Sequence, residues 1–224
     1  MWSFVKNRKL TMIDLVRLMV AALIIKVTGS VVSNYVDYLP PDFGSNFLLG
    51  RRDYFFGSYS IAFYGHIVTG PVSLLLAVVL MSQRFRLRFR RWHARLGRIQ
   101  IVIVLLVSVS GLWMSRHTET GAIAGLGFAS LAVATGIFAL LGLLSAKRKQ
   151  FDSHQRWMWR CFLCLCSAVV LRLTAGLAAT TGTGGDWLYP ASAWASWLVP
   201  LFVFELNRLY RERTSNRNTT LRSR

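Results

Sequence analysis

Residues 121–146 read GAIAGLGFASLAVATGIFALLGLLSA, an unbroken run without a charged side chain. As a helix it rises about 39 Å at 1.5 Å per residue, more than the roughly 30 Å of a bilayer's hydrocarbon core. Backbone groups in lipid must find partners within their own segment, and this run lacks the polar alternation of a barrel strand. It is therefore read as a membrane-spanning helix. Five further segments have the same character, at 10–32, 61–83, 99–116, 157–180 and 189–208. The expected fold class is all-α: a polytopic membrane bundle of six transmembrane helices. It is read as one domain over 1–208 with an outer loop at 33–60, followed by a basic tail at 209–224 expected to be disordered.

Composition agrees. The 224 residues are 54% hydrophobic and only 16% charged, outside the range of soluble domains. The net charge of +18 would suggest nucleic acid in a soluble chain. Here the basic residues stand in short blocks between apolar runs, the pattern of membrane orientation, so nucleic-acid binding is discounted. The N-terminus shows no small-residue cleavage site and carries Lys26 inside its apolar run, so the first helix is read as a retained anchor.

Twenty-one of the 27 Lys and Arg residues fall in 1–9, 84–98, 147–160 and 207–224, all on one side of six spans. The other side has Arg51, Arg52 and Arg116. Both termini are thus expected to be cytoplasmic, in the inner membrane of a bacterium, with anionic lipid headgroups as partners of that face. The outer loop carries Pro-Pro and Asp-Phe-Gly turn signals and then a Tyr/Phe-rich stretch, and is read as a lid lying along the interface.

Ionisable groups inside spans are costly and are functional candidates by default. Counting about 1.5 Å per residue from the cytoplasmic side puts Lys26 about 24 Å up, His66 about 26 Å, His117 about 28 Å and Arg172 about 23 Å. Four segments thus bring a cation or an imidazole to one depth. His66 and His117 can supply two axial nitrogens to a haem b iron or two ligands to a transition metal, with Lys26 and Arg172 balancing an anion. Gly65, Gly70 and Gly111 lie where a flat macrocycle would need close approach. The competing reading is structural: the histidines bond across helices and the two cations snorkel to phosphates.

A second group lies on the basic side: His93, His154, Arg98, Arg160 and Glu205. Asp14 with Arg17, and Glu205 with Arg208, have ion-pair spacing on a helix. Belt tryptophans and headgroup-binding arginines explain much of this group without a ligand. His93 and His117 are 24 residues apart, about 36 Å of helix, which argues against a compact two-haem wire. Cys161, Cys164 and Cys166 are read as small packing residues, and no G-x-S-x-G, H-E-x-x-H or Walker A motif is present.

The order His66-x-x-x-Gly70, His93-x-x-x-Gly97-Arg98, His117, His154-x-x-Trp157-Met158-x-Arg160, Arg172, Trp194-x-x-Trp197 and Glu205 resembles the bacterial and fungal predicted membrane proteins grouped as domain of unknown function 2306. The resemblance covers about residues 60–208. It implies that the four histidines, Arg172 and Glu205 belong to one shared architecture, and it brings no established activity. Three functions remain open: a histidine-ligated haem- or metal-binding redox protein with an outer site, a binding or transport protein for a lipid or small anion, and a non-catalytic assembly subunit.

Overall fold

The computed structural model of the chain describes residues 12–45, 47–118 and 120–222, and side chains within these except at 13 and 215–222. The basic segment 1–9, which contributes to the orientation count, and the start of the first expected span lie outside the described residues. Nine α-helices follow in order: α1 Met12–Ser33, α2 Arg52–Phe55, α3 Ser58–Met81, α4 Gln83–Arg88, α5 Arg90–Ser115, α6 Ala122–Lys147, α7 Phe151–Leu165, α8 Ser167–Thr181 and α9 Leu188–Arg222, with a 3-10 turn at Asn34–Asp37. No strand occurs among the described residues.

Four helices form a ring. α3 packs on α5, α5 on α6, α6 on α7, and α7 returns to α3, so α5 and α7 stand on one diagonal. α9 lies against α6, α7 and α8, and α1 against α3 and α8. Lipid supplies no hydrophobic drive between helices, so close approach through small residues matters. The buried positions of α6 are Ala124, Gly127, Ala132, Thr135, Gly136, Ala139, Gly142 and Ser145, all small. A Cβ added at Gly136 would sit 3.4 Å from the Ser108 side chain of α5. Ile24, Leu74, Ala77, Ile101, Val104, Ala139, Cys161, Leu165 and Val169 fill the common core. Large apolar side chains such as Leu18, Val109, Leu126 and Phe202 point outward, as a lipid-facing surface requires.

Five helical stretches are long and apolar enough to cross a membrane: Asp14–Asp37, Ser58–Met81, Arg90–Ser115, Ala122–Lys147 and Phe151–Thr181. The last includes α7 and α8. Cys166 marks their boundary, yet its N–H still bonds the Phe162 carbonyl and its carbonyl accepts from Val170, so the two run on as one span. The sixth expected segment, 189–208, is helical within α9 but is not among the five; its Trp, Ser and Pro residues lower its hydropathy. α9 also continues to Arg222, through most of the tail expected to be disordered. Local bonds support its described part, from Arg208 to Glu212 at 3.3 Å and from Arg211 to Asn207 at 3.2 Å. The basic loop 84–98 is also nearly all helix: Ser82 caps α4, accepting from the Phe85 N–H at 3.3 Å, and α5 starts nine residues before its expected entry.

The lid is folded. Tyr38, Leu48, Phe55, Tyr59 and Phe63 form a buried aromatic cluster over the end of α3, with Phe43, Phe47, Tyr54 and Tyr64 against it. Gly57 at the entry to α3 has φ of 130°, a conformation open to glycine and costly for other residues.

Candidate functional site

At the lid end, His66 on α3 turns toward α5. Its Nδ1 lies 3.1 Å from the Ser110 hydroxyl oxygen. Ser110 already donates its single hydroxyl proton to the Leu106 carbonyl at 2.7 Å, so toward His66 its oxygen accepts. Nδ1 therefore carries the hydrogen, and Nε2 keeps its lone pair. A Cβ at Gly111 would sit 3.3 Å from His66 Cε1 and 3.8 Å from the Ala132 Cβ, so the ring occupies the seam of α3, α5 and α6. Gly65 and Gly70 have nothing within 4 Å of an added Cβ. Of the three glycines, Gly111 is the one that makes room for the imidazole.

His117 lies in the turn after α5, inside the lid cluster. It stacks on Tyr54 with centroids 4.9 Å apart and meets Tyr59 edge-on at 5.1 Å. Its backbone carbonyl accepts from Arg51 Nη1 at 3.2 Å. Arg51, 9% exposed, also donates to the Phe47 carbonyl at 2.6 Å and to the Tyr59 hydroxyl at 2.9 Å. The guanidinium thus ties the loop to α3 and to the α5–α6 turn. His117 Nδ1 is buried and has no hydrogen-bond partner among the described residues. His66 and His117 are held by different neighbours, with a step of seven residues along α5 and its turn from Ser110 to His117, about 10 Å of rise.

The two cations sit on the periphery. Lys26 on α1 and Arg172 on α8 are exposed at the helix surface. Arg172 acts electrostatically on Tyr38 of the lid: burial pushes the Tyr38 phenol up and the Arg172 charge opposes this. The common depth read from the sequence therefore joins two interior imidazoles to two surface cations.

At the basic end, His93 and His154 each lie three residues into their helices, on the first turns of α5 and α7. His154 Nδ1 is 2.8 Å from the Gly142 carbonyl, which can only accept, so this nitrogen carries a hydrogen. His93 Nδ1 is buried without a partner among the described residues. The two imidazoles are within electrostatic reach of one another, with Arg86 nearby. Arg160 on α7 stacks 4.4 Å over Trp157 and donates to Glu205 of α9 at 2.6 Å, while the other Glu205 oxygen accepts from Arg208 at 3.0 Å. Arg98 is exposed. Asp14 and Arg17 approach at 3.9 Å on α1.

The two ends share a pattern. Each has one imidazole whose Nδ1 hydrogen is held by a protein acceptor and a second with a buried, unpartnered nitrogen. On α6, Ala132 marks the height of His66 and Gly142 that of His154; ten residues separate them, about 15 Å. The 36 Å read from the sequence measures the outermost pair, and the inner-facing members are much closer.

Sequence reasoning missed Ser110, Gly142 and Arg51 as partners. It also missed Gln100, whose side-chain amide donates to the Ser73 carbonyl at 2.9 Å from a 1% exposed position. An amide inside an apolar run was the available signal for Gln100; Gly142 acts through its backbone and left none. No group of three or more His, Cys, Asp or Glu residues converges as a metal-holding set among the described residues. The three cysteines are free and pack in the bundle.

No curated protein and no solved structure matches the chain. The family described as "Predicted membrane protein (DUF2306)" matches residues 63–207, the stretch that holds the helix ring, all four histidines, Arg172 and Glu205, and the chain belongs to this family.

Proposed function

We propose that this membrane protein is a histidine-ligated haem- or metal-binding redox protein with a site at the lid end, formed by His66 and His117. The observation that carries this reading is the state of the two imidazoles: His66 offers Nε2 because Ser110 holds Nδ1, and His117 has a buried Nδ1 without a partner among the described residues. A buried polar nitrogen without a partner is costly, and a metal bond meets that need. Among the described residues no third His, Cys, Asp or Glu converges, and a haem, which brings four ligands of its own and asks for two, suits such a pair better than zinc. The two rings stand about 10 Å apart in height, so this structure does not bring both onto one iron, and joint ligation requires His117 to approach His66. Bound haem would supply one-electron chemistry; the chain's part would be to ligate the iron and exclude water beneath the aromatic lid.

Charge counting supports a bundle with α9 as its sixth span, both termini in the cytoplasm of a bacterium, and the lid outside. The test is an absorption spectrum and metal analysis of the full chain purified in detergent. A Soret band, or a bound metal, lost in His66→Ala and in His117→Ala is the expected result. A colourless, metal-free protein grown with ample haem and metals overturns the reading. The exposed positions of Lys26 and Arg172 also favour anionic lipid headgroups as their partners.

A further inference from the structure

We propose a site for copper(I) inside the ring, held by the sulfurs of Met81, Met158 and Cys161; it is separate from the lid-end pair and stands or falls apart from it. Met81 from α3, Gln100 from α5, and Met158 and Cys161 from α7 line one cavity of about 20 Å³. Met158 and Cys161 are spaced i, i+3 and so share a face of their helix. Cys161 is 1% exposed while Met81 and Met158 are half-buried, so the thiol lies deepest and the thioethers stand nearer the bundle surface. Met158 Sδ rests against α6, 2.6 Å from where a Gly142 Cβ would stand, and its rotatable bonds let the sulfur swing toward Cys161.

Gln100 supplies the independent sign of a ligand. Its side chain is buried, its amide N–H donates to the Ser73 carbonyl at 2.9 Å, and its Oε1 has no partner among the described residues. An unmet amide oxygen is costly in the interior. It also puts the negative end of a dipole at a cavity whose other lining side chains end in carbon or sulfur, which favours a cation there.

Size and charge select the ion. A space of this volume takes one water-sized body, too little for an organic cofactor and enough for a bare ion. Thioether and thiolate sulfurs are soft ligands that select copper(I). Zinc is held by thiolates, imidazoles and carboxylates, and no set of three such groups converges among the described residues. On binding, the Cys161 S–H bond breaks, a sulfur–copper bond forms and the proton leaves to water; copper stays monovalent, so no electron is exchanged. The one thiolate then cancels the single charge of copper(I), and the neutral unit sits in the bundle interior without a counter-ion. A divalent ion on the same ligands would keep a net positive charge there, the costly case.

The test is copper(I) titration of the full chain, purified in detergent without oxygen, against the chelator bicinchoninate, with X-ray absorption at the copper edge. The expected result is a copper(I) with sulfur-dominated coordination, kept in His66→Ala and in His117→Ala. Its affinity should fall about 100-fold in Cys161→Ser and about 10-fold in Met81→Leu and in Met158→Leu. Leucine conserves the volume of methionine, so the two Leu variants keep the fold even where serine at 161 does not. No copper held against the chelator, equal affinity in Cys161→Ser, or unchanged affinity when Met81→Leu and Met158→Leu are combined overturns the site. A nitrogen-dominated copper spectrum that is lost with His66 or His117 also overturns it, and supports the lid-end pair instead.

Discussion

The hydroxyl of Tyr35 donates at 2.8 Å to the Ile67 carbonyl, the group that Pro71 leaves without its helical partner four residues on. Proline inside a helix removes an N–H, and in lipid the freed carbonyl must be met by another group. Here the lid supplies it, so a helix defect in α3 becomes a fastening point for the segment after α1.

Tyr35→Phe should therefore cost about 1–3 kcal/mol, the penalty of leaving a buried acceptor unmet. In Pro71→Ala the N–H of residue 71 returns to Ile67 and the same tyrosine change should cost far less. Detergent-phase unfolding of the four corners of this cycle checks the coupling. Equal costs in both backgrounds would show that Tyr35 contributes only its ring.

Arg51 predicts the behaviour of the lid as a whole. Its guanidinium joins Phe47, Tyr59 and His117 and lies 4.6 Å over the Phe47 ring. Lysine lacks the planar fork needed for these directions. Arg51→Lys and Arg51→Ala should both raise proteolysis and amide exchange across 34–57 while leaving α5 and α6 protected, with alanine having the larger effect. Uniform loosening of the whole bundle would instead mean that the lid and the ring unfold together.

The long apolar helices were legible in the sequence because lipid imposes long apolar runs and punishes charge inside them. The histidines were legible for the same reason. What each imidazole touches was not, since Ser110, Ala132 and the Gly142 carbonyl reach them through the order of helices around the ring, which hydropathy does not encode. At the start of the tail, polar composition resembles disorder, while Arg208 with Glu212 and Arg211 with Asn207 bond at helical spacing, which composition does not encode.

Glu205 holds Arg160 of α7 and Arg208 of its own helix with separate oxygens. The pair between helices is the less exposed and should matter more. Glu205→Ala should weaken the docking of α9 by about 1.5–3 kcal/mol, the range for hydrogen bonds to charged groups, while Arg208→Ala should cost under about 1 kcal/mol. Unfolding midpoints of the two variants decide this, and similar losses in both would assign the stability to the local pair.

The glycines separate contact from mere sequence position. At Gly125 an added Cβ would come 2.9 Å from the Ser115 backbone carbonyl, and at Gly127 it would meet the Trp194 indole at 3.1 Å, whose N–H donates to the Ile123 carbonyl at 3.0 Å. Backbone cannot yield, and the indole can move only by giving up its bond. Gly125→Ala and Gly127→Ala should each cost about 1–3 kcal/mol, the range for overpacking. Gly65→Ala and Gly70→Ala meet nothing and gain helix propensity, so they should be neutral or stabilising by up to about 1 kcal/mol. Thermal unfolding of the four variants checks the ordering, and a loss at Gly70 as large as that at Gly125 would mean that another surface covers α3 in the membrane.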